Sequence, residues 1–241
     1  MKTNAKFLVP VTAVLFALCA RPVMAQSTIF TVPNTDTVPK GKVDLRFDWL
    51  ALANGDGDRL HTLNPRIVVG VGGNIEIGAN VPTNLSHNGT NAFFQPNIKW
   101  KFASNDARGL AAAVGGVFVT RVNNRGGGAT DNYGLVYGNF SVRVTSGSFG
   151  PRFTAGPYGV VTDGQVWDGP KAGAILGYEQ PIHSRASIIA DWTSGKNEIG
   201  YFTPGMSFRI PVIGSLKGGY SFGNDGHRDN RFLFVSYGIT L

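Results

Sequence analysis

The strongest constraint in this sequence is an alternation of apolar with polar or small residues that recurs along most of the chain. VDLRFDW at residues 43–49 and IEIGANV at residues 75–81 are two examples. A period of two predicts a β-strand with one apolar face and one polar face. About twelve such segments follow one another, approximately at residues 42–52, 64–72, 74–82, 93–103, 110–121, 132–144, 151–162, 171–180, 185–194, 199–210, 215–223 and 231–241.

These segments predict one all-β domain over residues 42–241. No stretch after residue 25 approaches about 18 consecutive apolar residues, the length that indicates a membrane-spanning helix. We therefore predict a single closed antiparallel up-and-down β-barrel of about twelve strands. Ten or fourteen strands stay open as alternatives, because residues 109–120 have small residues on both faces. Residues 26–41 are expected to form an irregular periplasmic segment that leads into the barrel, and whether this segment enters the lumen stays open.

The first 25 residues have the features of a cleaved secretory signal. Two lysines precede an apolar stretch at residues 7–20, and Val23-Met24-Ala25 provides a small-x-small cleavage site. We expect cleavage after Ala25 and export of the mature chain. The only cysteine, Cys19, lies within this signal, so we expect no disulfide in the mature protein.

Aromatic residues indicate which face of the barrel points outward. Alternation alone does not decide this, because soluble lipocalin-like barrels alternate as well. On the apolar face, one aromatic level contains Trp49, Trp192, Phe202 and Phe222, and the other contains Trp100, Phe102, Phe153, Tyr178 and Phe208. Two aromatic girdles are typical of transmembrane barrels, and so are connections that are longer at the extracellular end, as NNRGGGATDN is here, than at the periplasmic end, as GGN and PIHS are here. Both features favour an apolar face toward lipid.

The chain ends in RFLFVSYGITL, whose alternation continues to the last residue. Its apolar positions are Leu233, Val235, Tyr237, Ile239 and Leu241. This pattern resembles the C-terminal strand of bacterial outer-membrane proteins, by which the barrel-assembly machinery recognises them. The resemblance implies an integral protein of the bacterial outer membrane, in contact with lipid and lipopolysaccharide. A last strand that pairs with the first leaves no open edge in lipid.

A second resemblance concerns the first third of the mature chain. VPNTDTVPKGKVDLRFDWL, GVGGNIEIGANVP and QPNIKWKF resemble exported barrels of the phenol-degradation MetA-pathway group. This resemblance implies transport of small molecules across the outer membrane.

The sequence contains little material for catalysis or metal binding. Ser86 and His87 are adjacent in LSHNGTN, but neighbouring strand residues point to opposite sides. His61, His183 and His227 are scattered, with no spacing typical of metal ligands. We therefore predict no enzyme activity, no metal and no cofactor, with a membrane lipase as the least favoured alternative.

Inward-facing positions carry more basic than acidic residues. The predicted pore-lining basic residues, near the periplasmic mouth, are Lys101, Arg143, Arg152, Arg185, Arg209 and Lys217, and the predicted acidic ones are Asp44, Asp48, Glu76, Glu179 and Asp191. A basic lining attracts anions, unless these side chains pair with acids or cover turn carbonyls. The formal net charge of +7 is dispersed, so we expect no nucleic-acid partner.

A barrel of about twelve strands lies between small filled barrels and wide aqueous porins. We therefore expect a passive outer-membrane channel for small solutes, with anionic or aromatic solutes as candidates. The alternative is a structural or adhesive barrel whose lumen is plugged and whose extracellular loops contact a partner.

Overall fold

A computed structural model of the chain describes residues 28–53, 59–86, 89–122, 132–144, 149–162, 167–224 and 231–241. The predicted signal peptide, His87 and His227 lie outside these residues. The strands are β1 (Val43–Ala53), β2 (Arg59–Gly72), β3 (Ile75–Asn80), β4 (Thr83–Ser86), β5 (Gly89–Asn105), β6 (Leu110–Arg121), β7 (Tyr133–Arg143), β8 (Arg152–Thr162), β9 (Ala172–His183), β10 (Ala186–Thr193), β11 (Tyr201–Ile210), β12 (Gly214–Gly223) and β13 (Phe232–Thr240). No helix in the described part of the chain is long and apolar enough to cross a bilayer.

The strands form one closed antiparallel barrel. Strands that are consecutive in the chain pair with one another, except β3 and β4, and β1 pairs with both β2 and β13, which closes the sheet. β3 and β4 act as one interrupted strand, since both pair with β2 and with β5. The break falls at Val81 and Pro82, where the register is irregular although the Val81 N–H still donates to the Pro65 carbonyl at 3.0 Å. The barrel therefore has 12 strands, which confirms the predicted fold class.

Side-chain exposure confirms the predicted assignment of the two faces. On the outer surface, Phe47 is 45% exposed and Ile98 is 53% exposed. On the inner surface, Asp48 and Lys99 are each only 2% exposed. Because the apolar side chains point outward, a lipid bilayer can cover them while the polar ones stay in the lumen.

The C-terminal strand completes this surface. Its outward residues pair with those of β1, in the pairs Leu45–Ile239, Phe47–Tyr237 and Trp49–Val235. The backbone groups at the end of the chain are thus used in barrel closure. Recognition of this strand by the assembly machinery stays a prediction.

Five prolines lie inside the described strands without ending them, and three of these are Pro96, Pro157 and Pro204 in β5, β8 and β11. Each of the three pairs with a residue of one neighbouring strand, in the pairs Ala79–Pro96, Pro157–Ala174 and Ala190–Pro204. On its other side, each falls in a gap of the strand register. Because proline lacks an N–H, it can occupy a strand where one ladder is locally interrupted.

Candidate functional site

The lumen contains part of the chain itself, which we call the luminal segment, residues 28–38. Ile29 is 0% exposed and Phe30 is 1% exposed, although both precede the first strand. A turn forms where the Ile29 N–H donates to the Val32 carbonyl at 2.9 Å. The sequence predicts a periplasmic entry segment here and leaves its entry into the lumen open. The contacts place it inside the barrel.

Asp191 on β10 binds the turn of the luminal segment. Its Oδ2 atom accepts hydrogen bonds from the backbone N–H groups of Phe30 at 2.9 Å, Thr31 at 2.8 Å and Val32 at 2.9 Å. The side chain is 2% exposed. A carboxylate that accepts several N–H groups away from water forms strong, charge-assisted bonds.

Lys217 on β12 binds the same segment through its carbonyl groups. Its Nζ atom donates to the Thr28 oxygen at 2.8 Å and also to the Ile29 oxygen. The lysine is 1% exposed, so these bonds replace its hydration. Lys217 was predicted to line the pore. In the structure its ammonium group is hydrogen-bonded to the luminal segment instead.

Arg152, at the start of β8, pairs with two acids. Its Nη1 atom lies 2.6 Å from Asp36 of the luminal segment, and its Nε atom lies 2.5 Å from Glu179 on β9. Burial alone raises the pKa of Asp36, but the Arg152 guanidinium and nearby lysines outweigh it and hold that pKa below the ordinary value. Arg152 therefore links the segment to the barrel wall.

Further hydrogen bonds hold the luminal segment closer to the end of the barrel that has the short turns, which we call the short-turn end. Ser141 Oγ and Thr35 Oγ1 lie 2.5 Å apart, and Asn139 donates to the Pro33 carbonyl. Close to the turn between β2 and β3, Glu76 accepts the Val38 N–H at 2.8 Å. Glu76 also pairs with Lys99 at 2.9 Å.

The remaining predicted acids also have partners. Asp48 pairs with Arg66 at 3.2 Å, and Asp44 lies 3.5 Å from Arg46. Arg66 donates in addition to the Thr28 hydroxyl at 3.2 Å. Much of the inward charge is therefore paired within the protein, which a count of charges from sequence does not reveal.

The other predicted basic residues lie toward the short-turn end. Arg143 donates to the Gly150 carbonyl at 3.0 Å and so covers a turn. Arg185 is exposed, whereas Lys101 and Arg209 are half-buried. A role of these side chains in selecting ions stays a prediction.

Apolar packing adds to the polar anchors. Phe30 meets Phe234 of β13 edge to face, with ring centroids 5.1 Å apart. Small wall residues make room for the segment: a Cβ added to Gly177 would lie 2.2 Å from Ile29 Cδ1, and one added to Gly219 would lie 2.7 Å from Phe30 Cζ. The inward glycines Gly177 and Gly219 therefore accommodate the luminal segment.

A cavity of about 290 Å³ remains beside the luminal segment. Strand positions place it toward the end with the longer connections, since it includes Thr62 near the start of β2 and Tyr133 at the start of β7. Its amide-bearing residues are Asn64, Asn80, Gln95 and Asn97, and its larger apolar and aromatic residues include Leu135, Tyr133, Tyr137, Trp167, Ile199 and Tyr201. Sequence reasoning did not single out these residues, although the alternation places Asn80 and Asn97 on the inner face.

The described residues contain no cluster of three or more His, Cys, Asp or Glu side chains that could hold a metal ion. Ser86 ends β4, and its neighbour His87 is among the residues not described. The interior of the barrel is therefore the best-defined candidate site, with an anchored segment on one side and a cavity on the other.

No protein-family profile matches the chain, and no curated protein matches it. Among solved structures, it is similar to the COG4313 outer membrane channel from Pseudomonas putida F1, with TM-score 0.51 and 12% identity over 86% of this chain and 98% of that chain. It also matches outer membrane phospholipase A from Escherichia coli, with TM-score 0.45 and 14% identity over 91% of this chain and 95% of that chain. A third match is the translocator domain of autotransporter NalP from Neisseria meningitidis, with TM-score 0.41 and 13% identity over 83% and 86% of the two chains. The first likeness supports the fold of an outer-membrane barrel, and membership of the MetA-pathway group stays a prediction.

Proposed function

We propose that this chain is an outer-membrane channel for small solutes, and that the luminal segment holds its closed state. The observation that carries the proposal is the cavity of about 290 Å³ beside the segment. A barrel filled throughout by side chains would have no such space. The segment is held by hydrogen bonds and ion pairs rather than by strand pairing with the wall, so it can leave without opening the barrel.

The proposed location follows from the surface and the N-terminal sequence. An apolar belt around a polar lumen suits a bilayer, and the predicted cleavage after Ala25 suits export. We infer that outer-membrane lipid surrounds the barrel and that the barrel-assembly machinery inserts it. We assign no catalytic role to the protein.

A structural or adhesive barrel is the second candidate function. The observation that favours it is the firm anchoring of the luminal segment by Asp191, Lys217 and Arg152. A luminal segment that never leaves would plug the lumen permanently. The barrel would then act through its surface and its loops.

Single-channel recording separates these two functions. We expect the wild-type protein, refolded into planar bilayers, to open briefly and rarely. A double variant, Asp191→Ala with Lys217→Met, removes both anchors of the turn and is expected to raise the open probability at least tenfold. A folded double variant that stays silent would support the permanent plug and contradict the channel.

The matched control is the double variant Asp168→Ala with Lys171→Met. Both residues are exposed and lie between β8 and β9, outside the lumen. The control makes the same chemical changes and keeps the segment anchored. It should therefore record like wild type, and an equal rise in opening would point to a general loss of stability.

A further inference from the structure

The cavity beside the luminal segment contains a hydrogen-bond network whose direction is fixed by a guanidinium. Arg66 can only donate hydrogen bonds. Its Nη1 atom donates to Asp48 at 3.2 Å, and its Nε atom donates to Asn80 Oδ1 at 3.3 Å. The amide nitrogen of Asn80 is then the group that faces Gln95 Oε1, at 3.5 Å. The Nε2 donor of Gln95 then has no acceptor among the residues that the structure describes, and Gln95 lines the cavity.

Asn64 provides the complementary group. Its Nδ2 atom donates to Asp48 Oδ2 at 3.3 Å, and a carboxylate only accepts, so this orientation of the amide is required. Its Oδ1 atom is buried and accepts no hydrogen bond from any residue that the structure describes. A buried acceptor without a partner costs about 1–3 kcal/mol. Both amides belong to residues that line the cavity, so its wall carries one donor and one acceptor of fixed orientation.

The charges at this cavity are balanced inside the protein. Asp48 pairs with Arg66, and Glu76 pairs with Lys99 at 2.9 Å. A charged ligand would therefore lose its hydration without meeting an opposite charge in excess. The pairing favours a neutral ligand.

A different sector of the wall is aromatic. Tyr133, Leu135 and Tyr137 occupy alternate positions of β7, so all three face the lumen, and Trp167 and Tyr201 add to this sector. Aromatic rings pack well against the C–H face of a saturated ring. The volume of about 290 Å³ falls at the lower limit of sites for drug-sized ligands, roughly 300–1,000 Å³, which suits a single ring.

We propose that this cavity binds a neutral polyhydroxylated ring of monosaccharide size. Hydroxyl groups both donate and accept, so one ligand satisfies Asn64 Oδ1 and Gln95 Nε2 together. Asn64 and Gln95 lie on β2 and β5, with β3 between them. Gln95 is in register with Arg66 through Asn80, and Asn64 is two residues further along β2, so the two backbones are roughly 12 Å apart at the usual strand spacing and rise. A ring with hydroxyls on opposite sides spans that distance, whereas a phenol with one hydroxyl leaves one amide unpaired.

This inference names the solute class of the proposed channel. The role of the bound solute rests on the proposed function, whereas binding itself does not require conduction. Binding at equilibrium is measured without conduction, so the two can fail separately. A protein that binds sugar but never conducts would overturn the channel and keep the binding site. A protein that conducts but binds no sugar would do the reverse.

The test is isothermal titration of the refolded full-length mature chain with D-glucose, phenol and gluconate. The detergent must be zwitterionic, because maltoside headgroups are themselves polyhydroxylated. We expect saturable glucose binding, with phenol and gluconate at least tenfold weaker. Absence of glucose binding, or tighter binding of phenol or gluconate, would overturn the proposal.

Variants locate the site. Asn64→Leu and Gln95→Met keep the side-chain size and remove the two ligand-facing amide groups, so each should weaken glucose binding about tenfold. Asn91→Leu, an exposed amide of the same strand as Gln95 and outside the cavity, is the control and should bind like wild type. Unchanged binding in both cavity variants would place the sugar elsewhere and contradict the assignment.

Discussion

Asp191 and Lys217 hold the two sides of one peptide turn inside the barrel. The aspartate accepts the N–H groups of residues 30–32, and the lysine donates to the carbonyls of residues 28 and 29. The two side chains come from β10 and β12, with β11 between them. Their opposite charges match the opposite polarity of the backbone groups, so a turn without strand neighbours remains buried in the lumen.

Removal of the Asp191 carboxylate is expected to lower the free energy of unfolding. In Asp191→Ala, three buried N–H groups lose their acceptor, and we expect a loss of about 3 kcal/mol. Thermal unfolding in detergent, followed by circular dichroism, measures it. The exposed control Asp168→Ala should change stability by less than about 0.5 kcal/mol. Equal stability of the two variants would contradict the assigned anchor.

The fit between Gly177 and Ile29 predicts a coupled pair of substitutions. Gly177→Ala places a Cβ 2.2 Å from the present position of Ile29 Cδ1, so the side chain must shift, and we expect a cost of about 1–3 kcal/mol. Ile29→Val removes that methyl group. In the double variant the cost of Gly177→Ala should therefore fall by at least about 1 kcal/mol.

Gly218→Ala is the control for this cycle, because a Cβ there has nothing within 4 Å. It should be tolerated with or without Ile29→Val. Strictly additive effects of Gly177→Ala and Ile29→Val would show that residue 29 does not pack against β9.

The strands could be predicted from the sequence, but the occupied lumen could not. Alternation is a local property, and it gave the faces of Phe47 and Asp48 correctly. The luminal segment has no such pattern, and its burial depends on partners such as Asp191, 161 residues away from Phe30. The sequence indicated an occupied lumen only indirectly, through inward glycines such as Gly177 and through inward charges that need a partner.

Counting inward charges also had a physical limit. Arg152 was predicted as a pore-lining cation, yet it lies between Asp36 and Glu179 and its charge is compensated. Asp36 lay in the predicted periplasmic entry segment, whose entry into the lumen was left open, so this pair could not be anticipated. The amides of the cavity were missed because neutral side chains contribute nothing to such a count.

The Arg152–Asp36 pair predicts a pH dependence of the closed state. The pKa of Asp36 is lowered in the folded protein, so its contribution to stability is present above its ordinary pKa, near 3.8, and is lost as pH falls through the lower folded value. The contribution of this pair to closure should therefore be constant from pH 7 to about 4 and decrease below it. Asp36→Asn should open more at neutral pH and should lose this acid-induced change.

Channel recordings at stepped pH measure this effect, with Asp168→Asn as the control on an exposed carboxyl. The control should keep the wild-type profile. An acid response that persists unchanged in Asp36→Asn would assign it to another group.

The C-terminal strand predicts a difference between refolding and assembly in cells. Tyr237→Asp and Ile98→Asp each put a charge on the outer face, where Tyr237 is 40% exposed and Ile98 is 53% exposed. Both should reduce refolding in detergent, because charge on the lipid face is unfavourable. Only Tyr237→Asp also alters the predicted assembly signal. Its assembly in cells should therefore fall further below its refolding in detergent than that of Ile98→Asp.

Heat-modifiable gel mobility measures the folded fraction in both settings. If the ratio of cellular assembly to refolding is the same for the two variants, the C-terminal strand has no special role in recognition.

A reversible disulfide between the luminal segment and the wall tests the proposed closure most directly. Thr35 Oγ1 and Ser141 Oγ lie 2.5 Å apart, and the only cysteine of the sequence, Cys19, lies in the predicted signal peptide. The measurement is the single-channel conductance of the Thr35→Cys, Ser141→Cys variant before and after reduction. The proposal predicts no openings in the oxidised form and openings like those of wild type after reduction. Openings in the oxidised form equal to those of wild type would contradict closure by the luminal segment.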